Sequence, residues 1–353
     1  MEQNKTSSRN QGIDLLRILL MFMICVQHVI TKSGVEDIDI SSNAYVYWFI
    51  DMFCCCAVDA YAMISGYVSN KKTIPYKRII NLWFQAIFYS FIVSLLMNLF
   101  YFKKTMSLSF LVKSLMPITN NTFWYITAYI PLLFLAPFLN RSLENMGERE
   151  LKHLLIVMLF VFSFLALLGD SWSLYGYSCI WILILYVTGS IIRRIGLFKK
   201  TGSTLLLSLY LLSVAVSWIS FYITRIPRMM EYISPTIVLC AMVLIVIFSR
   251  IPVQNKTISK ISSLTLGIYL LQGNPLFSQF FFQSIIPLDG TKLFSALLLI
   301  LAKSSLLMII GFAVEKTRTM IFHFLKIGKV EDLLAKLLEA VVSKLQTVLD
   351  SFI

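Results

Sequence analysis

Apolar runs close to twenty residues long, separated by short basic loops, recur along this chain and restrict what it can become. About 20 such residues let an α-helix cross a hydrocarbon core of ~30 Å. In lipid, backbone N–H and C=O groups must be satisfied within the spanning element, so runs of this kind form helices rather than open sheets. Composition agrees: 58% of the 353 residues are hydrophobic and 14% are charged, against roughly 25% charged in soluble proteins. A soluble enzyme, a disordered regulator and a disulfide-stapled secreted scaffold are excluded. The expected fold is all-α, a polytopic membrane helical bundle.

Apolar windows place about ten transmembrane helices, near 15–34, 45–69, 80–101, 123–140, 152–168, 177–195, 204–224, 235–250, 263–284 and 292–314. The first has a basic lead-in, Lys5 and Arg9, like a signal peptide. It is too long for an h-region, lacks a small-residue cleavage site and carries Arg17 and His28, so it is expected to be retained. The net charge of +13 would suggest nucleic acid in a soluble domain; here basic cytoplasmic loops explain it, and no nucleic-acid partner is implied. Lys71, Lys72, Lys77, Arg78, Arg193, Arg194, Lys199 and Lys200 all fall on the side of the N-terminus. That bias predicts cytoplasmic N- and C-termini.

The organisation that follows is a cytoplasmic segment over 1–14, a transmembrane domain over 15–315 and a cytoplasmic amphipathic tail over 316–353. From Val330 the tail repeats apolar residues at helical spacing (Leu333, Leu334, Leu337, Leu338, Val341), as a membrane-surface or partner-binding helix does. The half-apolar stretch 102–122 reads as interfacial or re-entrant. The six cysteines lie in or beside apolar runs without C-x-x-C pairs or histidines at zinc spacing, so neither a metal site nor a disulfide framework is expected. His153 and His323 fall in a loop and in the tail, where solvation accounts for them.

Charges inside the bilayer cost about 2.5–3.5 kcal/mol each even on lenient scales, which makes them functional candidates. The first span carries Asp14, Arg17 and His28. Asp14 and Arg17 are spaced to pair on a helix. Arg17 and His28, eleven residues apart, fall within about 20° of one face and ~16 Å apart along the axis. A guanidinium suits phosphate, and a neutral imidazole accepts protons. Together they make an anion-holding mouth below a general base. A snorkelling arginine and a histidine bonded to a neighbouring helix would fit the same residues. The second span adds Asp51, Asp59 and then Ser65-Gly66-Tyr67, and Trp124-Tyr125 opens the fourth; close packing and interfacial anchoring also suit these residues.

The pattern resembles the acyltransferase 3 family. The stretch GIDLLRILLMFMICVQH holds an Arg and a His with ten residues between them, the family's most specific mark. VDAYAMISGY is similar to its second-helix motif, FWYITAYIPLLFLAPFLN to its fourth-helix segment and SLTLGIYLLQ to a late helix, so the likeness spans residues 10–315. The late motif commonly ends in His, where this chain has Gln272, which hydrogen-bonds but takes no proton at neutral pH. A two-histidine relay is therefore not expected.

The resemblance implies a membrane-embedded O-acyltransferase in a bacterial plasma membrane. Such a protein moves acetyl from acetyl-CoA, as co-substrate rather than bound cofactor, to a hydroxyl of a surface or capsular polysaccharide or lipid-linked saccharide. His28, with Asp14, would be catalytic, and Arg17 would hold the CoA phosphates. Asp59, Ser65, Tyr67, Trp124, Tyr125, Tyr269 and Gln272 are candidates for substrate or oxyanion contacts. A membrane exporter of a glycan or small acid is the competing class, because buried ionisable groups also mark proton relays. The chain shows no inverted repeat to support it.

Overall fold

A computed structural model describes residues 9–33, 44–103, 107–169, 172–225, 227–285 and 292–352. The start of the expected N-terminal segment (1–8) and residues 104–106 of the expected interfacial stretch lie outside them. The described chain is helical, with no strand among the described residues. The long helices are α1 Gln11–Lys32, α2 Ala44–Val68 and α3 Tyr76–Phe102, then after a short α4 Leu108–Leu115, α5 Trp124–Glu144 and α6 Glu148–Leu167. They continue with α7 Cys179–Ile195, α8 Ser203–Thr224, α9 Pro235–Ser249, the shorter α10 Lys256–Ser262 and α11 Thr265–Gly273, then α12 Leu293–Phe324 and α13 Ile327–Asp350.

Among the described residues, eight helical stretches are long and apolar enough to cross a membrane: α1, α2, α3, α5, α6, α8, α12 and the Arg228–Ser249 stretch that contains α9. The sequence windows suggest two more. One is α7, apolar but only 17 residues long. The other, 263–284, is not a continuous helix. After α11 the backbone becomes extended at Asn274, whose side chain caps the single turn Pro275–Ser278, and a π turn over Gln279–Ser284 follows. The Asn274 amide donates to the Tyr89 carbonyl (2.9 Å) and the Ser94 hydroxyl (2.7 Å). Asn274 thus ties the break to α3, itself loosened by a π turn at Phe88–Ile92, and its side-chain oxygen accepts from the Phe277 amide (2.9 Å) that the break frees. Two lysines serve the same broken segment: Lys32 donates to the Gln272 carbonyl (3.2 Å) and buried Lys303 to the Phe282 carbonyl (3.3 Å).

Helices α1 and α2 form the centre of the bundle, and α2 packs along α7 with backbone almost on backbone. A Cβ on Gly66 would fall 1.8 Å from the Tyr186 carbonyl oxygen, and one on Gly189 would fall 1.9 Å from that of Met63. Only glycine permits this approach from both sides, the small-residue device of membrane helix pairs. Helix α1 starts four residues before the sequence window, where Asn10 accepts from the Ile13 amide (3.2 Å).

Helix α12 runs to Phe324, past the expected boundary at 315, before Lys326 turns left-handed (φ 53°) and starts α13. The tail helix binds the start of α3 through Lys77–Asp332 (2.7 Å) and Asn81–Glu331 (2.8 Å). Its Leu333, Leu337, Val341 and Leu345 stay exposed.

Candidate active site

A cavity of about 450 Å³ opens among α1, α2, α3, α5 and α11. Arg9, Arg17 and Arg78 line the end nearest the N-terminus, which we call the proximal end. Ser262, Ser263 and Thr265 join them. Tyr61, Ser65, Tyr129, Tyr125 and Tyr269 line its middle, and His28, Trp124 and Tyr232 its distal part. The eleven-residue offset between Arg17 and His28 therefore places both groups on one polar passage, as the shared stripe on α1 requires.

The proximal mouth is organised by Asp14. This buried carboxylate accepts from Arg9 (2.6 and 2.9 Å), Arg17 (2.8 Å), Ser259 (2.7 Å) and Ser262 (3.4 Å). It does not line the cavity. Its place is under the arginines, fixing their direction, and away from His28. Arg17 keeps 24% of its side chain exposed, and its carbonyl accepts from the Tyr61 hydroxyl.

The middle is a chain of hydroxyls. Arg78 donates to the Tyr129 hydroxyl (3.0 Å), which donates to Ser65 Oγ (3.2 Å), and Ser65 donates to the Tyr61 carbonyl (3.3 Å). Ser65 is thus tied to a tyrosine and a main-chain oxygen, an arrangement without the adjacent base that activates a nucleophilic serine. The Tyr125 amide donates to the Tyr269 hydroxyl (3.2 Å), which joins α5 to α11.

The His28 ring meets Phe282 edge-on, with centroids 6.4 Å apart. Its Nδ1 is buried without a hydrogen-bond partner among the described residues, and so is Oε1 of Gln272, which lies against the ring. An amide oxygen beside the ring can accept from an imidazole N–H and so fix the tautomer.

Of the candidates named from the sequence, the structure brings Arg17, His28, Ser65, Trp124, Tyr125 and Tyr269 onto one cavity, with Gln272 behind the imidazole. It leaves Asp14 beneath the arginines rather than beside His28, and two others elsewhere. Asp59 is buried against the Trp181 indole (3.2 Å), outside the cavity, with its second oxygen unpartnered among the described residues. Tyr67 also lies outside the cavity, its carbonyl accepting from Arg193 (3.2 Å). Sequence reasoning missed Arg78, Tyr61, Tyr129 and Tyr232. Arg78 counted only as a loop charge, whereas Tyr61 was legible, four residues before Ser65 and so on the same helical face.

The sequence model of a family described as an acyltransferase domain matches residues 10–315. No curated protein and no solved structure matches the chain.

Proposed function

The chain belongs to the acyltransferase 3 family, and from that premise we propose a membrane-embedded O-acyltransferase that moves acetyl from acetyl-CoA to a hydroxyl of a surface or capsular polysaccharide, with His28 as general base. One observation carries the reading: three arginines and His28 line the same cavity, the arginines at its proximal end. In this reading the proximal end is cytoplasmic, as the loop charges predict, and the membrane is a bacterial plasma membrane.

Arg9, Arg17 and Arg78 hold the phosphates of CoA, for which guanidinium forks are suited. At about 450 Å³ the cavity is of ligand-binding size. It takes the pantetheine arm and acyl group and leaves the nucleotide at the mouth. The ~16 Å rise from Arg17 to His28 is of the order of an extended acyl-pantetheine arm, so the thioester reaches the imidazole. The acceptor oxygen attacks the thioester carbonyl carbon while His28 takes its proton. The C–S bond then breaks, and the thiolate recovers that proton from the imidazolium. The products are an acetyl ester and free CoA thiol, with no covalent acyl-enzyme.

General-base assistance of this kind contributes about 10²–10⁴-fold. His28→Ala is therefore expected to lower acetyl transfer by that factor while the protein still inserts and binds acetyl-CoA. Two measurements check this: mass spectrometry of host envelope glycans, and thiol release from labelled acetyl-CoA by reconstituted protein. Glycan acetylation unchanged in the variant overturns the assignment of His28. Saccharide movement without thioester consumption by the unaltered protein overturns the transferase reading in favour of a carrier.

A further inference from the structure

Three aromatic rings meet at the distal end of the cavity. Trp124, Tyr177 and Tyr232 stand just before or at the start of α5, α7 and α9, with centroids 4.8 Å (Trp124–Tyr177), 5.1 Å (Tyr177–Tyr232) and 6.0 Å (Trp124–Tyr232) apart. The Trp124 and Tyr232 planes are only 22° from parallel. Tryptophan and tyrosine at helix ends ordinarily anchor a protein in the lipid headgroups. Here the rings turn inward: Trp124 and Tyr232 line the same cavity as His28. Tyr177 closes over both and remains half-exposed.

The backbone is built to put it there. Leu174, Tyr175 and Gly176 all have positive φ (50°, 55° and 101°), a tight left-handed turn that lays the chain against Tyr232. A Cβ on Gly176 would sit 2.5 Å from Cβ of Tyr232. Flat aromatic faces bind the C–H face of a pyranose.

We propose that Trp124, Tyr177 and Tyr232 form the acceptor platform, and that the acceptor is a pyranose entering from the end of the bundle opposite the arginines. This rests on the acyltransfer reading and names its second substrate site. The sugar hydroxyl and the thioester then approach His28 from opposite directions, and both substrates occupy the passage together.

Saturation-transfer NMR on the full-length protein in lipid nanodiscs, free of glycoside detergent, tests the platform with methyl β-D-glucopyranoside as probe. Acetyl-CoA binding is measured on the same samples. The glucoside is expected to receive saturation on one ring face. Tyr177→Ala should lower the glucoside signal about five-fold, the order of an aromatic contact, and Tyr177→Phe should retain it; both variants should still bind acetyl-CoA. Tyr177→Leu replaces the alanine variant if that one does not fold. An undiminished glucoside signal in the variant lacking the ring overturns the platform, as does no signal from a protein that binds acetyl-CoA. Failure of the unaltered protein to bind acetyl-CoA overturns the acyltransfer reading beneath it.

Discussion

At the scale of single residues, the proximal mouth depends on one carboxylate holding two arginines. Asp14 accepts from Arg9 and Arg17 together, so the guanidinium planes are set before any anion arrives. A lysine at position 17 would keep the charge and lose the planar fork. Arg17→Lys is expected to weaken acetyl-CoA binding about ten-fold, the loss of one charge-assisted hydrogen bond, with kcat much less affected; equilibrium dialysis and steady-state kinetics check it. The α1 stripe of Arg17 and His28 was legible because one helix fixes both side chains. Residues on other helices were legible only as far as their faces were known. Val58, Tyr61 and Ser65 recur at helical spacing and line the cavity, whereas Asp59 is turned ~100° from Val58 and buries itself against Trp181. A charge in mid-span drew attention to the wrong face. Arg78 escaped notice for the opposite reason, since a basic residue beside a loop already had an explanation in topology.

Among the elements, the α2–α7 pair sets how far the second helix stands from the cavity. Gly66 and Gly189 allow main chain to meet main chain, and Tyr61 and Ser65 are carried on the helix so placed. Gly189→Ala would drive a methyl group into the Met63 carbonyl, 1.9 Å from the Cβ position. Overpacking of this kind costs about 1–3 kcal/mol. A lower Tm in nanodiscs and reduced transfer activity are the expected outcomes, and an unchanged Tm would show that the helices separate at no cost. The interrupted segment after α11 was less legible. Asn274-Pro275 is plain in the sequence, but membrane helices tolerate proline. What turns the site into a break is a partner about 180 residues away: the Tyr89 carbonyl and Ser94 hydroxyl that take the Asn274 amide.

For the whole molecule, the tail extends the bundle along its proximal rim. Helix α13 is tied to α3 by Lys77–Asp332 and Asn81–Glu331, while its leucine and valine stripe faces away. An amphipathic helix so held is expected to lie with that stripe in the headgroup boundary. Spin labels at Leu337 and Leu345 are expected to meet membrane-soluble oxygen more than an aqueous nickel chelate, with the reverse at Lys336; equal chelate access at all three positions would place the stripe in water. The other end of the molecule bears on how the protein is made. Lys303 sits midway along an apolar helix and is tolerable there because the Phe282 carbonyl and the Ser33 hydroxyl receive it. Until those acceptors are assembled, an ammonium group and an interrupted helix each resist transfer from the translocon into lipid. Biogenesis is therefore expected to be concerted late in synthesis: the broken segment and α12 settle together, against a first helix laid down 270 residues earlier.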